Sequence, residues 1–350
     1  MKRFLCLVLS VILCATFCSC TNKNVKYAKQ GNISFNYNNI VNSTYTHWID
    51  ENGIYDVDIK LGTLSVFDET GNHRIALQKA PNSRIQTYDG QIYFLNSTTK
   101  HADDSEYSLV KYDMSAKEET VLVTFQAQEA FQWCIVENFL YVSVSRCDDL
   151  AEDLKAISLE TNEITSVAND VFGWGVVDGS VRYIVRSDNE YTAYTYDVCN
   201  QTSILIGQFE IELQNSDAYC WYWGINFTSD KIILAVCFSN NAMLLVYHVQ
   251  TTALESCEFD SAFSALSIAY DKYIFIATTQ KVENDSDLQK NKVHRVCLED
   301  FQMEEIGEFD GNVDLFVTSD DDVFVSSSAF DEIYHCTSQG IGENILVNKK

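Results

Sequence analysis

The chain has 350 residues, 46% of them apolar, and a formal charge of −26. An acidic surplus of that size repels phosphate backbones, and no basic stripe interrupts it, so nucleic-acid binding is excluded. With 14 glycines and a single proline, Pro81, tight turns must be built mainly from Asn, Asp, Gly and Ser.

Residues 1–20 read as a targeting segment. Lys2 and Arg3 precede an apolar run from Phe4 to Phe17, too short to span a membrane comfortably. Phe17-Cys18-Ser19-Cys20 resembles a bacterial lipobox, with Phe17 where that pattern usually has Leu. The resemblance implies that Cys20 is lipidated and becomes the new N-terminus. It would anchor an exported protein to the lipid bilayer at the outer face of the bacterial cell membrane. Two acyl chains suffice for stable anchoring. An ordinary cleaved signal peptide is the alternative. Loss of Lys2 and Arg3 takes the charge from −26 to −28. Residues 21–31 are polar and unpatterned and read as a flexible tether reaching ~35 Å at most. Lys23, Lys26 and Lys29 would favour an anionic lipid surface.

Residues 32–350 read as one repeating unit. Seven times an acidic or turn-forming residue is followed at once by a short β-rich apolar strand. The anchors are Glu51-Asn52-Gly53-Ile54, Asp89-Gly90-Gln91-Ile92, Glu137-Asn138-Phe139-Leu140, Asp178-Gly179-Ser180-Val181, Asp230-Lys231-Ile232, Asp271-Lys272-Tyr273-Ile274 and Asp321-Asp322-Val323. Their aligned apolar positions are 38 to 51 residues apart. A period of roughly 45 residues made of strands alone predicts an all-β fold, a seven-bladed β-propeller with four antiparallel strands per blade. A lone four-stranded sheet cannot cover both of its apolar faces; stacking covers them, and closing the ring removes uncovered ends. Asn344 to Asn348 could supply the last outer strand, or Ile33 to Tyr37 could come round to complete that blade. Third strands share a signature of their own that ends in Asp68, Asp113, Asp197 or His248.

Gly53-Ile54-Tyr55-Asp56-Val57-Asp58 and Gln91-Ile92-Tyr93-Phe94 resemble the YWTD-like propellers of bacterial lipoproteins of unknown function. The match covers about residues 44 to 130 and fades later. It implies a propeller used for binding and carries no functional residue across.

First-to-second and third-to-fourth turns are short. Extra length falls in second-to-third connections (Ser97 to Tyr107, Cys147 to Asp153, Phe238 to Ala242, Thr279 to Asn291, Ser327 to Glu332) and between blades (Gln126 to Phe131, Glu210 to Tyr219). Successive connections alternate between the two ends of an antiparallel blade, so both long classes emerge on one face. Insertions gathered on one face of a repeat protein mark a binding surface, with neutral drift as the alternative. His47, Phe131, Trp133, Trp174, Tyr219 and Trp221 fall on or beside first strands, near the predicted channel and long-loop face. Such aromatics suit sugar rings or peptide side chains, and equally suit packing between blades. The expected partner is a protein, peptide or glycan.

Asp103, Asp104, Asp285 and Asp287 crowd hard oxygen ligands into long loops, the chemistry of a Ca2+ site. However, Glu283-Asn284-Asp285-Ser286-Asp287 lacks the glycine and terminal glutamate of an EF-hand loop, and a solvated acidic rim would use the same residues. Eight cysteines follow Cys20 without a CxxC, which argues against zinc and for mostly free, buried thiols. The six histidines are scattered, and no His-Glu-x-x-His, Gly-x-Ser-x-Gly or phosphate-loop motif is present. The reading is a non-catalytic binding module; the alternative is a propeller hydrolase or lyase acting on polysaccharide.

Overall fold

A computed structural model describes residues 25–27 and, between 47 and 348, all but short segments, of which 212–220 and 281–289 are the longest. β1 (Val25–Tyr27) precedes a first sheet of β2 (His47–Asp50), β3 (Gly53–Asp58), β4 (Thr63–Asp68) and β5 (Gly71–Ala76). The second sheet holds β6 (Ile85–Tyr88), β7 (Gln91–His101), β8 (Asp104–Asp113) and β9 (Glu118–Ala127). A seven-stranded sheet follows: β10 (Ala130–Val136), β11 (Phe139–Arg146), β12 (Asp149–Ser158), β13 (Ile164–Val177), β14 (Ser180–Ser187), β15 (Glu190–Asp197) and β16 (Thr202–Glu210). Next come β17 (Trp221–Phe227), β18 (Lys231–Cys237), β19 (Ala242–His248) and β20 (Ala253–Phe259). β21 (Phe263–Ala269), β22 (Tyr273–Gln280), β23 (Lys290–Cys297) and β24 (Met303–Asp310) form a further sheet. The last consists of β25 (Val313–Val317), β26 (Asp322–Ser327), β27 (Ile333–Thr337) and β28 (Gly340–Asn344). Consecutive strands pair antiparallel within every sheet.

Seven separate sheets were expected. The described residues instead form five four-stranded sheets, one of seven strands, and a two-stranded pair of β1 with β29 (Leu346–Asn348). The difference lies in β13, a 14-residue strand. Its first part pairs with β12 and its second with β14, with Val171 opposite both Glu152 and Val185. At Asp170 the strand takes a left-handed kink (φ 56°) without ending, and register shifts absorb the change of partner. At the chain end, Gly340–Asn344 supplies the last outer strand. Leu346–Asn348 instead pairs with residues 25–27, inside the stretch expected to be a tether. The other expected closing segment, 33–37, lies outside the described residues.

Burial rises from the outer strands inward. β18 is buried at all seven positions, as its Ile232-Ile233-Leu234-Ala235-Val236 run requires when both faces of a strand are covered. Outer strands such as β20 and β24 are mostly exposed. The apolar residues accordingly form a series of layers between neighbouring sheets. Leu95 and Phe125 pack with Val142 and Ile157; Ile233 and Leu244 pack with Ile274 and Ile276; Phe275 and Val293 pack with Leu315 and Val325. First strands also meet, and at Gly173 they approach so closely that a Cβ would stand 2.3 Å from Ile225 Cδ1. The layer containing Trp48, Ile54 and Tyr55 of the first sheet also contains Phe316, Phe324 and Ile333 of the last. Trp48 and Phe316 meet edge to face at 5.7 Å. The first and last sheets therefore pack on each other, and the series closes.

Turns explain why the repeat was legible. Asp89 and Gly90 (φ 49° and 69°) and Asp178 and Gly179 (φ 49° and 74°) occupy left-handed backbone at both central positions, the two-residue turn whose twist matches a hairpin. Several third-to-fourth turns are closed by an amide reaching back four residues: Lys117 to Asp113 (2.7 Å), Asn162 to Ser158 (3.0 Å), Thr252 to His248 (2.8 Å) and Phe301 to Cys297 (3.0 Å). A third-strand Asp caps the turn that follows it, whether of this kind or a two-residue hairpin. Asp113 Oδ1 accepts from the amides of Ser115 and Ala116, both at 2.8 Å, and Asp68 Oδ1 from those of Thr70 (2.7 Å) and Gly71 (3.0 Å). His248 keeps the turn through its carbonyl alone.

None of the six described cysteines is in a disulfide, but only Cys134, Cys237 and Cys336 are buried; Cys199 is exposed and Cys257 and Cys297 are half-buried.

Candidate functional site

Of the two roles open to the first-strand aromatics, Trp133 and Trp174 take core packing. Trp133 is 1% exposed and Trp174 0%, each locked between apolar neighbours of adjoining strands. At period two a first-strand aromatic can face the channel or the neighbouring sheet, and here inter-sheet packing wins. His47 begins β2 opposite Asp56, Phe131 lies in β10, and Trp221 begins β17 opposite Cys237. Those backbone positions are at the end of the sheets where second-to-third and sheet-to-sheet connections emerge; their side chains are outside the described residues. Asp104 is paired with His101 in the β7–β8 hairpin, and its side chain is likewise undescribed. Cys20, Asp103, Tyr219, Asp285 and Asp287 fall outside the described residues altogether. Among those described, no three His, Cys, Asp or Glu side chains are placed to hold a metal ion.

Two stretches expected as long loops are extensions of strands instead. Ser97 to Tyr107 continues the β7–β8 ladder, with Ser97 opposite Tyr107 and Thr99 opposite Ser105, and Tyr107 stacks on Phe125 at 5.5 Å. In Cys147 to Asp153, the β11–β12 ladder already resumes at Asp149. Likewise Gln126 belongs to β9 and Phe131 to β10.

Polar side chains on first and second strands tie sheet to sheet. Asp50, 5% exposed, accepts at Oδ1 from the amides of Asn52 (2.7 Å) and Gly53 (3.1 Å) and at Oδ2 from the Thr87 hydroxyl (2.8 Å). The Thr87 oxygen in turn accepts from Trp48 Nε1 at 2.7 Å. Gln86 faces the other way: its Oε1 accepts from Ile135 N (3.0 Å) and its Nε2 donates to Ile135 O (3.4 Å), so one amide side chain acts as a short strand between β6 and β10. Arg182 donates to the carbonyls of Thr228 and Ser229 across the next junction.

Burial pushes the Asp50 carboxyl above its usual range, while the Asn52 amide and the Thr87 hydroxyl pull it partly back. A group raised in this way favours the folded state while protonated and loses that contribution as pH rises through its folded value. Asp50→Asn should therefore flatten the part of the stability profile that declines upward from the ordinary carboxylate range, read as the difference in denaturant midpoint from wild type across about pH 4 to 7. Asp50→Ala strips three donors of their acceptor and should cost about 3 kcal/mol at neutral pH.

At the long-connection end, Arg186 is held over the rings of Phe172 (5.6 Å) and Tyr191 (5.5 Å), and its Nε donates to Asp188 O at 2.8 Å. Tyr191 continues into a stack with Phe209 (5.5 Å), and Phe209 stacks on Tyr247 (4.6 Å). Arg186 was not among the candidates read from sequence; its register opposite Tyr191 becomes visible only once β14 and β15 are paired.

A cleft of about 360 Å³ lies between β20 and the β21–β24 sheet, within the range of small-molecule sites. Phe259, Phe301 and Met303 give it apolar walls, and Thr278, Lys292, His294 and Glu305 add polar groups. Lys292 Nζ donates to Glu305 Oε2 at 2.9 Å. His294, 7% exposed, stands with Nε2 3.3 Å from Thr278 Oγ1, and its Nδ1 has no hydrogen-bond partner among the described residues. Burial lowers its affinity for a second proton; Glu305 opposes that and Lys292 reinforces it.

Neither a scan of protein-family models nor a search of curated proteins found a match. Solved structures do resemble it. The chain is similar to the tricorn protease, at TM-score 0.54 and 12% identity over 91% of this chain and 35% of that one. The chain thus spans about a third of that protein's length. It is also similar to a putative 6-phosphogluconolactonase from Bacteroides fragilis NCTC 9343, at TM-score 0.51 and 11% identity over 93% of both chains. An oligogalacturonate lyase in complex with manganese matches at TM-score 0.50 and 11% identity, over 79% of this chain and 82% of that one. The fold is a β-propeller. At such identities the likeness extends to architecture and not to activity.

Proposed function

We propose that this propeller is an exported, lipid-anchored binding module that takes a protein, peptide or glycan at the long-connection end of its sheets. In this reading the seven-stranded sheet is two blades sharing β13, which makes seven blades, and Cys20 carries the anchor five residues before β1. Pairing of β1 with β29 would then hold the propeller close to the bilayer.

The observation that supports the reading is the inequality of the two ends. At one end, turns such as Asp89-Gly90 and Asp178-Gly179 are as short as a hairpin allows. At the other, β7 runs to 11 residues, β22 and β23 are separated from Gln280 to Lys290, and β16 and β17 from Glu210 to Trp221. The longest connections of a rigid repeat, gathered at one end, are where recognition is carried. Arg186 on its aromatic pair lies at that same end.

The chain lacking residues 1–19 should be screened on oligosaccharide and peptide arrays, and the captured ligand mapped by amide hydrogen exchange. Protection is expected at 212–220, 281–289 and the tip of β7–β8. Tyr219→Ala with Trp221→Ala should weaken binding by roughly ten-fold or more while the melting temperature holds. Protection centred on the Asp89-Gly90 and Asp178-Gly179 turns would put the surface at the opposite end and remove the proposal.

A further inference from the structure

We propose that the cleft between β20 and the β21–β24 sheet binds an organic cation, an ammonium or guanidinium group carried on an apolar stem. The site is lateral, walled by strands of two sheets, and separate from the connection tips invoked above.

Charge sets the sign of the ligand. Glu258, Asp260 and Glu305 line the cleft against a single cation, Lys292. The surrounding protein adds a formal −26, which concentrates cations of every kind. A metal ion is disfavoured by placement, since among the described residues no group of three acidic, histidine or cysteine side chains converges as an ion would need. The carboxylates are instead spread along walls that also hold Phe259, Phe301 and Met303. Apolar surface interleaved with separate carboxylates suits a stem with a charged head, and aromatic faces add attraction for the head.

The wall also carries an unfilled polar atom. With the hydrogen on Nε2 directed to Thr278, His294 Nδ1 is an acceptor, and its burial makes that vacancy costly. A turn of the His294 ring toward the cleft would let an N–H of the ligand fill it. Glu305 already holds one ammonium, that of Lys292, through Oε2. Its Oε1 is the natural acceptor for a second donor, and a planar guanidinium can present two N–H groups side by side.

Agmatine, a guanidinium on an alkylamine stem, is the probe. The full chain lacking residues 1–19, labelled with 13C at methionine methyl groups, is titrated with it and separately with NaCl at matched ionic strength and with CaCl2. The Met303 signal is assigned by Met303→Leu. A saturable shift of Met303 with agmatine alone, weakened roughly ten-fold in Glu305→Gln and in Asp260→Asn, is the expected result. Asp260 and Glu258 are exposed, so Asp260→Asn and Glu258→Gln serve if Glu305→Gln disturbs the Met114 and Met243 signals. An unmoved Met303 signal, an equal response to either salt, or unchanged affinity in the variants would overturn the site.

Discussion

Trp48→Ala should cost the folded protein about 3–5 kcal/mol, the range for emptying a large aromatic from a packed interior. Trp48 is 2% exposed, and its ring lies against Phe316 of the last sheet while its indole N–H is bound to Thr87 of the second. One side chain thus touches three sheets, two of them at opposite ends of the sequence. Its removal leaves a cavity at the junction where the series of sheets closes. Against a typical total of about 5–15 kcal/mol, the loss is a large share of what holds the fold. Trp48→Phe keeps most of the contact with Phe316 but loses the bond to Thr87, and should cost about 1–2 kcal/mol. Chemical denaturation measures both. A Trp48→Ala loss below that of Trp48→Phe would show that this junction is not packed.

A comparable loss, about 3–5 kcal/mol, is expected for Trp174→Ala, but here the conservative variant behaves differently. Trp174 is fully buried, and its Nε1 has no hydrogen-bond partner among the described residues. The native state therefore carries a desolvated N–H, which Trp174→Phe removes along with some packing volume. The relief, about 1–3 kcal/mol, opposes the packing loss, so Trp174→Phe should fall within about 1.5 kcal/mol of wild type. The contrast between the two phenylalanine variants follows from one hydrogen bond, present at Trp48 and absent at Trp174. Were Trp174 a ligand-stacking surface instead, Trp174→Ala would leave stability nearly intact.

Much of this architecture was readable because each period is punctuated by residues with a physical reason to turn. Asp89-Gly90 and Asp178-Gly179 accept left-handed backbone, and Asp68 and Asp113 cap the amides of their turns. The reading failed where the same residue types do something else. The expected break between two of the seven sheets does not occur, because Asp170 kinks β13 without ending it. Polar Ser97-Thr98-Thr99 stays in a ladder anchored by the buried Tyr107. The surface was less legible than the scaffold. Period-two spacing does not say which side of a first strand meets a neighbouring sheet, so Trp133 and Trp174 were open to either role. The lateral cleft left no trace in sequence, because Phe259, Thr278, His294 and Met303 come from four strands and meet only when two sheets pack.

The most direct examination of the closed ring is a proton–proton contact. In a deuterated sample with protonated Trp and Phe rings, the five tryptophans give few enough signals for Trp48 to be identified by Trp48→Phe. Cross-peaks between the Trp48 ring and Phe316 are predicted, lost in Phe316→Leu. If the Trp48 ring shows contacts to the second sheet and none to Phe316, the first and last sheets do not meet and the ring is open.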